Sequence, residues 1–237
     1  MKPLRLACDL DGTLADMNAA LEREARRIFG EPVDVGAHTP GVVTSAARHR
    51  SVARDEPSTD VRKRPLVDRE RSRLWNHVCE IGNFWETLPE IESGAVAHLA
   101  ATAVVQGWEI LFLTRRPDTA GDTVQVQSQR WLRAHGFEWP SVCVVSESRG
   151  KIAASLSLDV VIDDRPDNCV DVTADSRASS VLVWRDSAEH LPPGVRRLPI
   201  QVVSSMAEAI EHITRLHARP VPPGGLLGRL RQVFQQS

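Results

Sequence analysis

The sequence predicts an α/β fold in which helices cover both faces of a doubly wound, Rossmann-like parallel sheet. Apolar runs of strand length alternate with amphipathic runs of helix length through the second half of the chain. This βαβ order favours parallel strands, because each crossover helix returns the chain to the same end of the sheet. These predicted strands lie near residues 108–113, 141–145, 158–162 and 180–184, with helices between them near 120–135, 149–156 and 168–176.

The first strand and helix are predicted near the start of the chain. Leu4 to Cys8 is a short apolar run, and Gly12 marks the turn that follows it. Apolar residues then recur at helical spacing over residues 17–29. Asp16 is placed to cap this helix, and Gly30 is placed to end it.

A long insertion separates the first strand from the second. Residues 31–67 are poor in large apolar side chains and predict loops with short helical pieces, whereas residues 69–81 predict a helix. We therefore expect residues 15–92 to form a subsidiary domain, with residues 1–14 and 93–218 forming the core. A disordered surface insertion is the alternative for this segment.

The remaining elements complete the predicted core. A helix is expected over residues 93–106, a weaker strand near 200–203 and a further helix over 205–217. Residues 219–237 begin with a stretch rich in proline and glycine and predict a linker and tail.

Composition limits the partners that the chain is expected to have. The net charge of −2 gives no general attraction to nucleic acid or to membranes. No apolar run approaches the ~18 residues of a membrane span, and no signal-peptide segment follows Met1. We therefore expect a cytoplasmic protein that does not associate with membranes.

Polar side chains cluster where the predicted strands end. They are Asp9 and Asp11 after the first strand, Thr114 after the second, Lys151 before the fourth, and Asp163 and Asp164 after it. In an open parallel sheet these ends share the edge where the binding crevice lies, so the groups are expected to converge. Carboxylates packed together repel one another unless a cation relieves them. The pattern predicts a site for a divalent metal and a phosphoryl group.

The same residues resemble the motifs of the haloacid dehalogenase-like hydrolases. In the family's order, the matching motifs are Asp9-Leu10-Asp11-Gly12-Thr13, Thr114, Lys151 and Asp163-Asp164. The resemblance covers about residues 4 to 185, within which residues 15–92 match the family's insert in position alone. It implies a mainly helical cap over the crevice, which would exclude water and contact the substrate.

The resemblance implies a phosphomonoesterase that uses Mg²⁺ and an aspartyl-phosphate intermediate. Asp9 is expected to be the nucleophile, and Asp11 the general acid and base. Hard oxygen ligands for Mg²⁺ would come from Asp9, the Asp11 carbonyl group and Asp164. Asp163 would act through water or from outside the direct ligands.

Several further residues are expected to hold phosphate oxygens. They are Leu10 and Gly12 through backbone amides, Thr114 through its hydroxyl, Lys151 through its ammonium group, and Arg115. Taken alone, Thr114 is also typical of a helix cap or turn, and Lys151 of a solvated surface residue.

One segment points to a nucleotide substrate. Residues 83–95 resemble the corresponding segment of the 5′(3′)-deoxyribonucleotidases, in which cap aromatics stack on the base of a nucleoside monophosphate. Phe84 and Trp85 are the matching residues, and Arg116 is expected to contact the substrate. Packing of both rings against the core is the alternative. That subfamily commonly has valine at the position of Thr13.

Other functions stay open at this point. The basic stretch at residues 48–73 favours a 3′-phosphatase acting on nucleic-acid ends, and the motifs also suit other small phosphorylated metabolites or a phosphotransferase. A signalling receiver domain is disfavoured, because its acidic pair follows the first strand whereas Asp163-Asp164 comes last. A binding module without catalytic activity is also disfavoured, because such a module would not require all four motifs.

Overall fold

The computed structural model describes residues 3–36 and 63–217, in which eight strands form two parallel sheets. The strands are β1 (Arg5–Asp9), β2 (Val33–Asp34), β3 (Arg64–Pro65), β4 (Glu109–Thr114), β5 (Ser141–Val144), β6 (Val160–Asp163), β7 (Ser179–Val183) and β8 (Ile200–Val203). The main sheet has the order β5-β4-β1-β6-β7-β8, and β2 pairs with β3 alone. The order changes direction at β1, which confirms the predicted doubly wound sheet.

Seven α-helices accompany these strands in the described residues. They are α1 (Met17–Phe29), α2 (Asp68–Glu80), α3 (Ala95–Gln106), α4 (Val124–Ala134), α5 (Arg149–Ser155), α6 (Pro166–Asp175) and α7 (Met206–His217). Each corresponds to a predicted helix, with ends that differ by up to four residues, whereas the β2–β3 ladder was not predicted. None of these helices is long and apolar enough to cross a bilayer. The predicted tail and most of the basic stretch lie outside the described residues.

Side chains alternate between the two faces of β1, and each face has its own apolar core. Leu6 and Cys8 pack in the cluster that includes residues of α3, α4 and α7. Ala7 points the other way and packs with Ala153 of α5 and Val172 of α6. Both faces of the strand are therefore buried, which explains why its sequence is apolar throughout rather than alternating.

The ends of α1 follow the predicted signals. The Asp16 carboxylate accepts a hydrogen bond of 2.8 Å from the backbone N–H of Ala19, which caps the first turn. Gly30 ends the helix with a left-handed φ of 74° and donates its N–H to the carbonyl of Arg26.

The register of the main sheet aligns the ends of its three central strands. Asp9 in β1 lies opposite Leu113 in β4, and Cys8 lies opposite Ile162 in β6. The residues that follow these strands therefore emerge side by side at the carboxyl edge, with β1 in the middle. This alignment places the first, second and fourth motifs of the sequence at one edge.

The described part of the predicted cap consists of α1, α2, the β2–β3 ladder and a 3₁₀ helix over Phe84–Glu86. Its apolar side chains belong to the same continuous cluster as those on one face of the main sheet. The division of the chain into a core and a cap stays a prediction.

A buried carboxylate joins α1 to α2. Glu24 is 2 % exposed and accepts hydrogen bonds from Arg23 and Arg27 of its own helix, and it lies 3.4 Å from the ring nitrogen of His77 in α2. Burial alone would raise the pKa of Glu24, but the hydrogen bonds from Arg23 and His77 and the charge of Arg27 lower it.

We expect Glu24→Gln to lower the free energy of unfolding by about 1–3 kcal/mol at pH 7, because Arg23 and Arg27 lose a charged acceptor. A lowered pKa stabilises the fold above the unfolded glutamate pKa of about 4.3, and this stability is lost as the pH falls through the folded value. Urea unfolding between pH 3 and pH 7 should therefore show a difference from wild type that shrinks at the acid end.

The matched control is Glu22→Gln. Glu22 lies on the same helix as Glu24, is more exposed than Glu24, and pairs with Lys63. Its effect should stay below about 1 kcal/mol. A Glu24→Gln effect that is independent of pH would contradict the assignment of its stabilising role to the ionised carboxylate.

Candidate active site

A polar cavity of about 270 Å³ lies at the carboxyl edge of the main sheet. Asp9, Asp11 and Arg115 from the sequence prediction line it. Arg149 and Arg165, which the sequence prediction did not include, line it as well. Every lining residue is polar or charged, so the cavity is suited to a hydrophilic, charged ligand.

Arg149 connects two of the motif carboxylates. Its Nη2 donates a hydrogen bond of 2.5 Å to Oδ1 of Asp9, and its Nε lies 3.4 Å from Oδ2 of Asp163. All three side chains are buried. Burial and the nearby Asp163 raise the pKa of Asp9 well above its usual value, and the Arg149 charge opposes that shift. Arg149 therefore favours the ionised form of Asp9.

Lys151 does not reach this site. It is largely exposed, and its Nζ pairs with Oε2 of Glu147 at 3.4 Å. The reason is the orientation of α5: a Cβ on Gly150 would lie 2.1 Å from the carbonyl oxygen of Asp171, so the helix presses this glycine against α6. That contact turns Arg149 inward and leaves Lys151 outside the cavity. The structure thus places Arg149 where the sequence analysis expected Lys151.

The paired aspartates occupy different environments. Asp163 is fully buried, and it accepts hydrogen bonds from the backbone N–H of Arg165 at 2.9 Å and from the Asn168 amide at 2.9 and 3.0 Å. Asp164 accepts a hydrogen bond of 3.3 Å from the hydroxyl of Thr13. Burial, and then repulsion from Asp163, raises the pKa of Asp164 to about 7.

Gly12 brings the first motif against the last one. Its φ is +86°, and a Cβ there would lie 2.1 Å from Oδ2 of Asp164, so only glycine fits this approach. Its N–H donates to the carbonyl of Ala15 at 3.0 Å. Gly12 is thus a packing residue here rather than a phosphate donor. Leu10 is fully buried, and its carbonyl accepts from the Leu14 N–H.

Arg116 and Thr114 hold Asp11 rather than a ligand. Arg116 donates from Nε at 2.8 Å and from Nη2 at 2.7 Å to the Asp11 carboxylate, and the Thr114 hydroxyl donates at 3.0 Å. A further hydrogen bond of 2.8 Å from Arg116 to Ser128 fixes the guanidinium, which lies 4.8 Å from the centre of the Trp85 ring. The Arg116 side chain is fully buried, which corrects its expected role as a substrate contact.

The structure also corrects the expected stacking role of Phe84 and Trp85. Both are 0 % exposed and meet edge to face, with ring centres 5.1 Å apart. The indole N–H of Trp85 donates to the carbonyl of Pro117 at 3.1 Å, and its backbone N–H donates to Gln127. Rings that are enclosed in this way cannot stack on a base, so the packing alternative holds for both.

The carboxylates supply suitable chemistry for Mg²⁺. Asp9, Asp163 and Asp164 offer hard oxygen ligands, and burial together with repulsion from Asp163 raises the pKa of Asp164, a shift that a bound cation would oppose. As they stand, no three histidine, cysteine, aspartate or glutamate side chains in residues 3–36 and 63–217 are grouped so as to hold a metal ion. These carboxylate oxygens are of the kind that Mg²⁺ prefers. In this structure, however, the Arg149 guanidinium lies against Asp9 and Asp163.

Comparison with protein-family models gives no match, and no curated protein is significantly similar in sequence. One solved structure similar to this chain is a haloacid dehalogenase-like family hydrolase from Xanthomonas campestris. It shares 15% identity, covers 91% of this chain and 96% of its own, and has a TM-score of 0.45. A similarity at this level does not bear on the chemistry of this chain.

We expect Arg116→Met to lower the free energy of unfolding by about 3–5 kcal/mol, because it leaves the Asp11 carboxylate in its enclosed position without its cation. Arg115→Met is the matched control. It changes the neighbouring, exposed arginine and should cost no more than about 0.5 kcal/mol. Urea unfolding of the two variants provides the measurement, and equal losses would contradict the role of the ion pair.

Proposed function

We propose that the protein is a phosphomonoester hydrolase of the haloacid dehalogenase-like type, with Asp9 as its nucleophile. The observation that carries the proposal is the pairing of Asp9 with Arg149 beside Asp11 in one polar cavity. The order of the four motifs along the chain supports the same family and chemistry. Within the described residues, Arg149 bonds to Oδ1 of Asp9 and no hydrogen bond engages Oδ2, which is the oxygen we assign to attack.

The proposed reaction has two steps. First, Oδ2 of Asp9 bonds to phosphorus while the ester oxygen departs and takes a proton from Asp11, which leaves an aspartyl-phosphate. Second, water gives a proton to Asp11 and attacks phosphorus, so that the bond to Asp9 breaks and phosphate is released. The proton that Asp11 gains in one turnover is the one it donates in the next.

The ion pair with Arg116 suits the second step. It fixes the orientation of the Asp11 carboxylate, which accepts a proton from water in that step. Arg149 orients Asp9 and favours its ionised form, and it offers positive charge to the transferring phosphoryl group. Burial of Asp9 and Arg149 limits the water around the reacting atoms.

Mg²⁺ is the cofactor we propose for the site, held by Asp9, the Asp11 carbonyl group and Asp164, with Asp163 behind them. When bound, it would neutralise charge on the phosphoryl oxygens. Arg149 would then share Asp9 with the cation, and its hydrogen bond to Asp9 would adjust.

The identity of the leaving group remains a separate proposal. A nucleoside monophosphate was predicted from Phe84 and Trp85, and the burial of both rings removes that basis. Nucleic-acid ends were predicted from the basic stretch, of which residues 48–62 lie outside the described residues. Both stay proposals that no contact of the described residues favours.

We expect Arg149→Gln to lower kcat for phosphate release by about 10²–10³-fold, because one preorganised cation beside the nucleophile is lost. Lys151→Gln, two residues away on the same helix, should change kcat by less than about threefold. Phosphate release from p-nitrophenyl phosphate with Mg²⁺ measures both, and Asp9→Asn supplies the blank. A larger loss with Lys151→Gln than with Arg149→Gln would overturn the assignment of Arg149.

Metal binding can be tested without activity. At pH 8, Asp164→Asn should raise the thermal unfolding temperature of the metal-free protein, because it removes a carboxylate that Asp163 repels. The same variant should lose the stabilisation that Mg²⁺ gives wild type, about 2.7 kcal/mol at 100 times the dissociation constant. Asp167→Asn, an exposed acid on α6, is the control and should retain the Mg²⁺ response.

A further inference from the structure

Two arginines follow the strands on either side of β1, each two residues beyond the level of Asp9. Asp9 lies opposite Leu113 in β4, and Arg115 follows two residues later. On the other side of β1, Cys8 lies opposite Ile162 in β6, so the next residue, Asp163, lies level with Asp9. Arg165 follows two residues after Asp163. Both arginines line the cavity that contains Asp9.

Arg115 and Arg165 differ from the other two arginines of the site in their partners. Arg149 is bound to Asp9, and Arg116 is bound to Asp11. Within residues 3–36 and 63–217, the guanidinium groups of Arg115 and Arg165 form no ion pair or hydrogen bond, and both residues are exposed. They are therefore the cations of the cavity that a ligand can engage without displacing a carboxylate.

The rest of the cavity fits a small hydrophilic leaving group. No aliphatic or aromatic side chain of the described residues lines it, and its volume of about 270 Å³ is below the roughly 300–1,000 Å³ of sites for drug-sized ligands. Its remaining acids are Glu147, which pairs with Lys151, and Asp171 on α6. Ser146, Ser148 and Asn168 add hydrogen-bonding groups between these charges.

We propose that the substrate is a small phosphomonoester whose leaving group carries a second anion, a carboxylate or a second phosphate, which Arg115 and Arg165 bind. This inference rests on the proposed function and adds its substrate class. A guanidinium pair suits such an oxyanion, because each group presents N–H donors in a planar fork that matches carboxylate or phosphate oxygens. The arginines then determine specificity, and Asp9 and Arg149 serve the reacting phosphoryl group.

Matched esters test the proposal. Glycerol 3-phosphate and 3-phosphoglycerate differ in a carboxylate, and the monophosphate and bisphosphate of 1,3-propanediol differ in a second phosphate. In the presence of Mg²⁺, we expect kcat/KM of wild type to be at least about tenfold higher for the doubly anionic member of one pair or both. The pair that shows the preference identifies the kind of oxyanion. Equal values within both pairs would overturn the inference.

Variants separate the second anion from the reacting phosphate. Arg115→Gln and Arg165→Gln should each lower kcat/KM for the preferred ester with two anionic groups by about 10–100-fold, mainly through KM, and affect its partner with one anionic group much less. Arg133→Gln, an exposed arginine on α4, is the control. Thermal unfolding should be unchanged in Arg115→Gln and Arg133→Gln, because these side chains are exposed. Arg165→Gln should lower the unfolding temperature slightly at most, because the charge of this exposed side chain acts on Asp163 and Asp164.

Two outcomes would count against the proposals in different ways. An equal proportional loss for both members of a pair would mean that the arginines bind the transferring phosphate, which would overturn the inference while the hydrolase function stands. If wild type releases no phosphate from any of the four esters or from p-nitrophenyl phosphate, the proposed function fails and the inference falls with it.

Discussion

The bridge from Arg149 to Asp9 and Asp163 is the interaction on which the rest of the site depends. Two buried carboxylates at the ends of adjacent strands would repel each other strongly, and one guanidinium between them relieves that repulsion. The bridge also ties α5 to the central strands, since Arg149 is the first residue of that helix. Its position depends in turn on Gly150, whose missing side chain lets α5 approach α6 closely.

A second ion pair links the chemistry to the packing of the predicted cap. Arg116 holds Asp11 on one side and contacts the Trp85 ring on the other, and Trp85 is anchored to the core through Pro117 and Gln127. The aromatic segment thus acts on the site through the orientation of a carboxylate rather than through a substrate base. A change at Trp85 would therefore reach the proposed acid and base through Arg116.

Strand ends and helices were predictable from the sequence because they depend on local patterns. Asp9 and Asp163 follow apolar runs that are buried on both faces, and Asp16 caps α1 as its spacing indicated. The helix phase of α5 was not predictable in this way. Arg149 and Lys151 are both cations near a helix start, and a tertiary contact made by Gly150 decides which one faces inward. The burial of Trp85 depends on tertiary packing in the same manner.

The four arginines near Asp9, the proposed nucleophile, fall into two kinds according to what they already bind. Arg116 and Arg149 are enclosed and paired with carboxylates, so moving them would leave buried charges uncompensated. Arg115 and Arg165 are exposed, and their guanidinium groups form no ion pair or hydrogen bond within the described residues. A ligand can therefore change the surroundings of the second pair at little cost to the fold. In the proposed mechanism, this division lets one cavity keep its reacting groups fixed while its specificity rests on side chains that solvent can reach.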